Sequence, residues 1–210
     1  MGFFDRNRKA LEEKGIDPSR LPPGQYLTDR FPVLHVGSVP SYPKLADFTL
    51  AIGGLVEDEV ELSWGQIVGL PATEVVVDIH CVTKWSKFDT TWKGVAFSEL
   101  MKLVTVKSGA THILGHGEHG YTANIPLEDC IGDDDKGQPK AMIAYEFGGH
   151  PLDPEHGYPL RFLLPRLYLW KSTKWLRGLE FLSSDRAGYW ERNGYHMYGD
   201  PFREQRFTND

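Results

Sequence analysis

Cys81 stands at the exit of an apolar strand in EVVVDIHCVTKWS, where Val75, Val76, Val77 and Ile79 predict a buried strand of β-branched residues. A thiolate at a strand end, beside Lys84 and Trp85, can hold a soft metal or act as a nucleophile. Taken alone, a buried and inert cysteine explains it as well. A second chemical signal lies between Gly157 and Leu179. This stretch has no acidic residue and five basic ones: Arg161, Arg166, Lys171, Lys174 and Arg177. They sit among core-type residues in LRFLLPRLYLWKSTKWLRGL, where an unpaired buried charge is costly. Either an anionic ligand partly inside the fold balances them, with Ser172 and Thr173 as further donors, or acidic residues elsewhere pair with them on exposed faces. A third signal is GHGEHG, which gathers His116 and His119 around Glu118, with His112 upstream. That set could ligate zinc, but its glycines predict a mobile loop, and a loop histidine contacting a ligand fits equally well. His156, five residues before Arg161, can flank the same anion-binding mouth.

These groups must be positioned by a chain of 210 residues, long enough for one sizeable domain without disulfides. Cys81 and Cys130 have no CxxC spacing, which fits a reducing compartment or a single special thiol. A net charge of −6 argues against a general nucleic-acid binder. The first twenty residues contain no apolar run suited to a signal peptide or membrane span and no twin arginine, so a cytoplasmic protein with no membrane attachment is expected.

The pattern predicts a polar helix over 5–14 and a proline-rich arm, with residues 1–30 as an N-terminal unit and 31–210 as the main domain. A strand, a Gly-Gly turn and a second strand are expected over 48–57. Short helices are expected over 63–70, capped by Ser63, and over 96–104, begun by a Ser/Thr-type cap. Further strands are expected in THILGHG, KAMIAYEFGG, GYPLRFLLP and GLEFLSS, with a solvated turn at Asp133–Asp135. Strands and short helices intermix, which favours a strand-rich α+β fold over a doubly wound sheet.

In combination these stretches resemble the sulfite-oxidase-fold family of molybdopterin-dependent oxidoreductases, from about Phe31 to the C-terminus. The resemblance rests on DIHCVTKWS, then WKGVAFSELM, then YTANIPL, and above all on GHPLDPEHGYPLRFLLPRLYLWKSTKWLRGLEF. It implies a mixed molybdopterin-binding fold, a molybdenum–molybdopterin cofactor and oxygen-atom transfer to or from a small substrate. It implies Cys81 as the protein ligand to molybdenum, and His156, Arg161, Ser172, Thr173 and Lys174 as contacts to the pterin phosphate. His116 and the arm residues Val33, Leu34 and His35 fall at further cofactor positions, and Tyr195 in RNGYHMYGDP at an active-site tyrosine. Trp85 and Tyr195 would shape the substrate mouth, with His35 or Lys84 donating to the oxo group or substrate.

The chain departs from true sulfite oxidases in having Val82-Thr83-Lys84 after the cysteine and Leu34 where an arginine would align. Lys84 lacks the bidentate fork of arginine, so sulfite is not favoured. No CxxCH haem motif is present, so an external electron-transfer partner is implied. Two rival readings remain: a cytoplasmic module that binds a phosphorylated small molecule, and a zinc hydrolase built on His112, His116 and His119.

Overall fold

The computed structural model describes residues 9, 11–13 and 15–210; the helix expected over 5–14 lies largely outside them. The fold is α+β and strand-rich, as expected. Among the described residues eleven strands form two sheets, one of six strands and one of five. In the six-stranded sheet, β5 (Trp85–Ala96) pairs with β4 (Ala72–His80), β8 (Met142–Phe147) and, in parallel, β1 (Tyr26–Leu27). Beyond β8 lie β10 (Arg161–Leu163) and the short β9 (His150–Pro151). The second sheet runs β3 (Val60–Ser63), β2 (Thr49–Gly54), β11 (Gly178–Leu182), β6 (His112–His116) and β7 (Thr122–Pro126).

The main core fills with Leu50, Ile52, Phe97, Ile113, Leu179 and Phe181, together with Val95, Ile143 and Phe162 from the six-stranded sheet. The other face of that sheet has its own cluster: Val75, Ile79, Trp85, Trp92, Met142, Ala144, Leu163 and Trp170. Period-2 alternation explains the split. Ile143 belongs to the main core while Met142 and Ala144 belong to the second cluster. By the same rule Phe162 faces the main core, and Arg161 shares the opposite face of β10 with Leu163. The alternation of one short strand therefore delivers a guanidinium to the cluster that contains Cys81.

Several local expectations hold. Helix α1 (Trp64–Gly69) starts at Ser63, whose side chain accepts from the Gln66 amide while Gln66 Oε1 accepts from the Ser63 amide, a reciprocal capping box. Others need correction. Helix α2 (Phe97–Leu100) is a single turn whose cap, Ala96, offers no side-chain hydrogen bond. Gly53 and Gly54 close β2 instead of forming a turn, and the return strand starts only at Val60. Strand β4 is an edge strand with Val76 exposed, not a fully buried one. Gln138 covers its free edge, accepting from the Val76 amide and donating to the Val76 carbonyl. The sequence reading passed over β5 and β7 altogether.

Residues 17–30 pack onto the main domain. Arg20 donates to both carboxylate oxygens of Asp78, at 2.8 and 2.7 Å, and to Asp89 at 2.6 Å. Leu21 and Gln25 are buried.

Candidate active site

Cys81 begins a tight turn between β4 and β5. Its amide donates to the Trp85 carbonyl at 2.8 Å, and the Lys84 amide donates back to the Cys81 carbonyl at 3.0 Å. Lys84 takes a positive φ of 77°, which this reversal requires. Two distant segments brace the turn. Gln25 Nε2 donates to the Cys81 carbonyl at 2.9 Å, and Arg206 Nη1 donates to the Val82 carbonyl at 2.8 Å. Burial pushes the Cys81 thiol above its usual pKa, against the opposing hydrogen bond from Thr83 and the nearby Arg161 and Arg206 charges.

The turn opens into a cavity of about 290 Å³. Cys81, Thr83 and Trp85 line one part of it, His156, Arg161, Ser172 and Lys174 another, and the arm from Phe31 to Val36 a third. Tyr121, Trp170, Trp190 and Tyr195 complete the wall.

Neither Arg161 nor Lys174 enters an ion pair among the described residues. Arg161 is 3% exposed, gives one hydrogen bond to the His156 carbonyl at 3.0 Å, and keeps its Nε buried without a partner. Burial draws its pKa down to about 10. Lys174 Nζ donates to the carbonyls of Leu34 and Glu155, each at 2.7 Å; burial and then Arg161 hold its pKa down to about 7. Burial and the same two cations lower His156 to about 4. The indole Nε1 of Trp85 is likewise buried and unpartnered. Orphaned donors and uncompensated positive charge in a cleft define a site built for an anion. A soft sulfur in the same cleft adds a ligand for a soft metal.

The cleft gathers nine of the residues singled out from sequence: Leu34, His35, Cys81, Trp85, His156, Arg161, Ser172, Lys174 and Tyr195. Val33, exposed in the arm, does not line it, and neither do three others. His116 Nε2 is 2.9 Å from Glu180 Oε2, in a shallow groove on the five-stranded sheet. Thr173 is fully buried behind the wall, packed on Gly115. Lys84 is exposed at the outer side of its turn. Ser172 lines the cleft, yet its hydroxyl already accepts from the Leu164 amide at 3.0 Å.

The other basic residues found acidic partners: Arg166 lies 3.3 Å from Asp129, Lys171 2.6 Å from Glu191, and Arg177 3.7 Å from Glu118. The zinc reading is not supported. His112 and His116 share a face of β6 but sit four residues apart, roughly 13 Å along a strand. His119 instead contacts the Ser38 carbonyl at 2.7 Å. Two of the three glycines of GHGEHG, Gly115 and Gly117, are packing positions, whereas Gly120 takes a positive φ of 70° with open space around it. A Cβ on Gly117 would lie 2.7 Å from the Lys174 carbonyl, and one on Gly115 2.9 Å from Thr173 Oγ1.

Sequence reasoning missed Tyr121, Trp170, Trp175 and Trp190 as cleft residues. The signal for the three tryptophans was aromatic density in the last third of the chain; Tyr121 lies earlier, in YTANIPL.

A strand-rich α+β domain with one thiol and unpaired cations in a shared cleft defines an enzyme domain that binds an anionic, metal-bearing cofactor. The chain matches the family model described as the oxidoreductase molybdopterin binding domain over residues 36–190. It belongs to that family, the molybdopterin-dependent oxidoreductases of the sulfite oxidase fold, and its cofactor is the molybdenum–molybdopterin group. It is 45% identical over 208 residues to the uncharacterized oxidoreductase YuiH of Bacillus subtilis (strain 168), covering 99% of this chain and 100% of that protein. It is 26% identical over 166 residues to the protein-methionine-sulfoxide reductase catalytic subunit MsrP of Xanthomonas axonopodis pv. citri (strain 306). That match covers 74% of this chain and 51% of the relative, so this chain spans only about half of MsrP. The crystal structure of the sulfane dehydrogenase SoxCD from Paracoccus pantotrophus is similar in fold, with a TM-score of 0.60 at 20% identity over 73% of this chain and 42% of that chain.

Proposed function

We propose that this protein transfers an oxygen atom to or from a small substrate, an S- or N-oxide or a related oxyanion. The observation that carries this is the Cys81 thiol opening into the cleft whose cations, the buried Arg161 and the half-buried Lys174, make no ion pair among the described residues. Cys81 would ligate molybdenum, and a coordinating thiol gives up its proton even where burial alone would hold it. Arg161, Lys174 and His156 would hold the pterin phosphate. When bound, the cofactor supplies a two-electron redox centre suited to oxygen-atom transfer.

The chain's own residues supply the rest. Burial keeps the Tyr195 phenol above its usual pKa, with the Cys81 charge adding to the effect, so it stays a neutral donor to a substrate oxygen. Trp85, Trp170 and Trp190 exclude water from the cleft. In the reducing direction the reaction takes up two electrons and two protons and releases water with the reduced substrate.

Among oxygen-bearing substrates a neutral oxide fits better than an oxyanion. The cleft's arginine, Arg161, is assigned to the phosphate, and Lys84 does not line the cleft. The name of MsrP describes a catalytic subunit, which supports an external electron-transfer partner here as well. A cytoplasmic location is part of the same proposal. Among the described residues no helix is long and apolar enough to cross a membrane.

The test is elemental and pterin analysis of protein made in a host that synthesises the cofactor. About one molybdenum per chain with pterin, lost in Cys81→Ala while the fold persists, is the expected result. Absence of both from the wild-type protein, or full turnover by Cys81→Ser, would overturn the reading and leave a module for phosphorylated ligands.

A further inference from the structure

Behind the aromatic wall lies a charged pair with no place in cofactor binding. The side chains of Lys171 and Glu191 are both 0% exposed, with Nζ 2.6 Å from Glu191 Oε1. Lys171 also donates to the Asn124 carbonyl at 3.0 Å, Asn124 Oδ1 at 2.7 Å and the Met197 carbonyl at 2.5 Å. The same Glu191 Oε1 accepts from Trp170 Nε1 at 2.7 Å. One carboxylate oxygen thus binds the buried ammonium and a cleft-lining indole.

Trp170 is held on its remaining sides too. Tyr168 stacks on it at 5.3 Å, and Tyr195 meets it edge-on at 5.0 Å. The Gly199 backbone closes against its far edge, where a Cβ would lie 2.7 Å from Cζ2. Tyr195 in turn stacks on Trp190 at 4.9 Å, and Trp190 is the chain neighbour of Glu191. A buried ion pair is weak evidence for stability, since desolvation offsets much of its attraction. Fixing geometry is the stronger account of this one.

We propose that Lys171 and Glu191 are positioning residues that hold Trp170, Trp190 and Tyr195 as one rigid apolar wall, against which the non-reacting substituent of a neutral substrate rests. The identity of that substituent depends on the oxygen-transfer reading; the rigidity of the wall does not.

Two variants test it. Glu191→Gln keeps an acceptor for the indole. Lys171→Met/Glu191→Leu removes that acceptor while filling the volume with apolar groups, a replacement that buried pairs often tolerate. The first readout is hydrogen exchange of the Trp170 Nε1–H by NMR, assigned with Trp170→Phe. The second is the Kd of methyl phenyl sulfone, an inert probe, measured by calorimetry on cofactor-loaded protein.

Slow exchange is expected in the wild type and in Glu191→Gln. In the double variant exchange should be faster and sulfone affinity about ten-fold weaker, with molybdenum and pterin content unchanged. Wild-type exchange in the double variant, or no sulfone binding by the wild type, would overturn the proposal. If the loaded wild type binds the sulfone but does not turn over methyl phenyl sulfoxide with a reduced viologen, the oxygen-transfer reading fails and the positioning role stands.

Discussion

Lys174 is the group through which pH should act on the cleft. Its pKa of about 7 lies between His156, at about 4, and Arg161, at about 10. An anion that does not itself titrate near neutrality, such as sulfate, isolates its effect. Sulfate affinity of the cofactor-free protein should be constant below pH 7 and fall about ten-fold per pH unit above it. Lys174→Met should bind more weakly and with a flat profile from pH 6 to 8; a flat wild-type profile would refute the assignment. The same shift has a sign for stability. The folded pKa is depressed below the ordinary 10.5, so from about pH 7 to 10.5 the unfolded chain binds a proton that the folded chain does not. This lysine's contribution to the stability of cofactor-free protein therefore rises with pH across that window, measurable as a rising urea midpoint that Lys174→Met lacks.

At the scale of elements, two glycines set how closely strands approach what they pack on. Gly94 sits at the irregularity where β5 pairs with β8, and a Cβ there would lie 2.0 Å from the Ile143 carbonyl oxygen. Backbone cannot yield as a flexible side chain would, so Gly94→Ala should cost roughly 1–3 kcal/mol, read from denaturant midpoints. Gly117 has ordinary extended dihedrals, φ −106° and ψ −176°, so alanine there is opposed by sterics alone. Its added methyl would press on the Lys174 carbonyl at 2.7 Å and Thr173 Cγ2 at 3.1 Å. Gly117→Ala should therefore weaken sulfate binding more than it lowers stability. Titration at pH 6.5 checks this, and unchanged affinity would show that the Ser172–Lys174 run does not depend on its close contact with Gly117.

At the scale of the whole molecule, the arm around Gln25 and the tail around Arg206 converge on the cysteine turn. Gln25 reaches the Cys81 carbonyl from one side, and Arg206 reaches the Val82 and Pro23 carbonyls, at 2.8 and 3.3 Å, from the other. Arg206 lies 5.1 Å from the Tyr168 ring centroid, so its charge is also stacked. Arg206→Met keeps most of the bulk but orphans these carbonyls. It should cost about 1–3 kcal/mol, with faster amide exchange over residues 81–85. Unchanged exchange in that turn would show that the tail is only a neighbour.

The sequence by itself determined the local features and the family. The β-branched run placed Cys81 at a strand end, Ser63 and Gln66 wrote a cap into three residues of spacing, and the order of motifs from DIHCVTKWS to KSTKW carried the resemblance. It did not decide which basic residues were free. Arg161 and Lys174 face the cleft while Arg166, Lys171 and Arg177 meet carboxylates distant in sequence, because register and sheet packing choose those partners. His116 looked like a ligand until the pairing of β6 with β11 set it beside Glu180. Strand β5 went unseen because its alternation is carried by Trp, Phe and Thr with charged residues between, a pattern that becomes legible only when β4 and β8 pair on either side. The aromatic wall is the extreme case. Trp170, Trp190 and Tyr195 belong to irregular segments, and the Lys171–Glu191 pair that fixes them spans twenty positions. Periodicity reports which face of its own element a residue occupies; it has no access to what stands opposite, and the tertiary structure alone decided that.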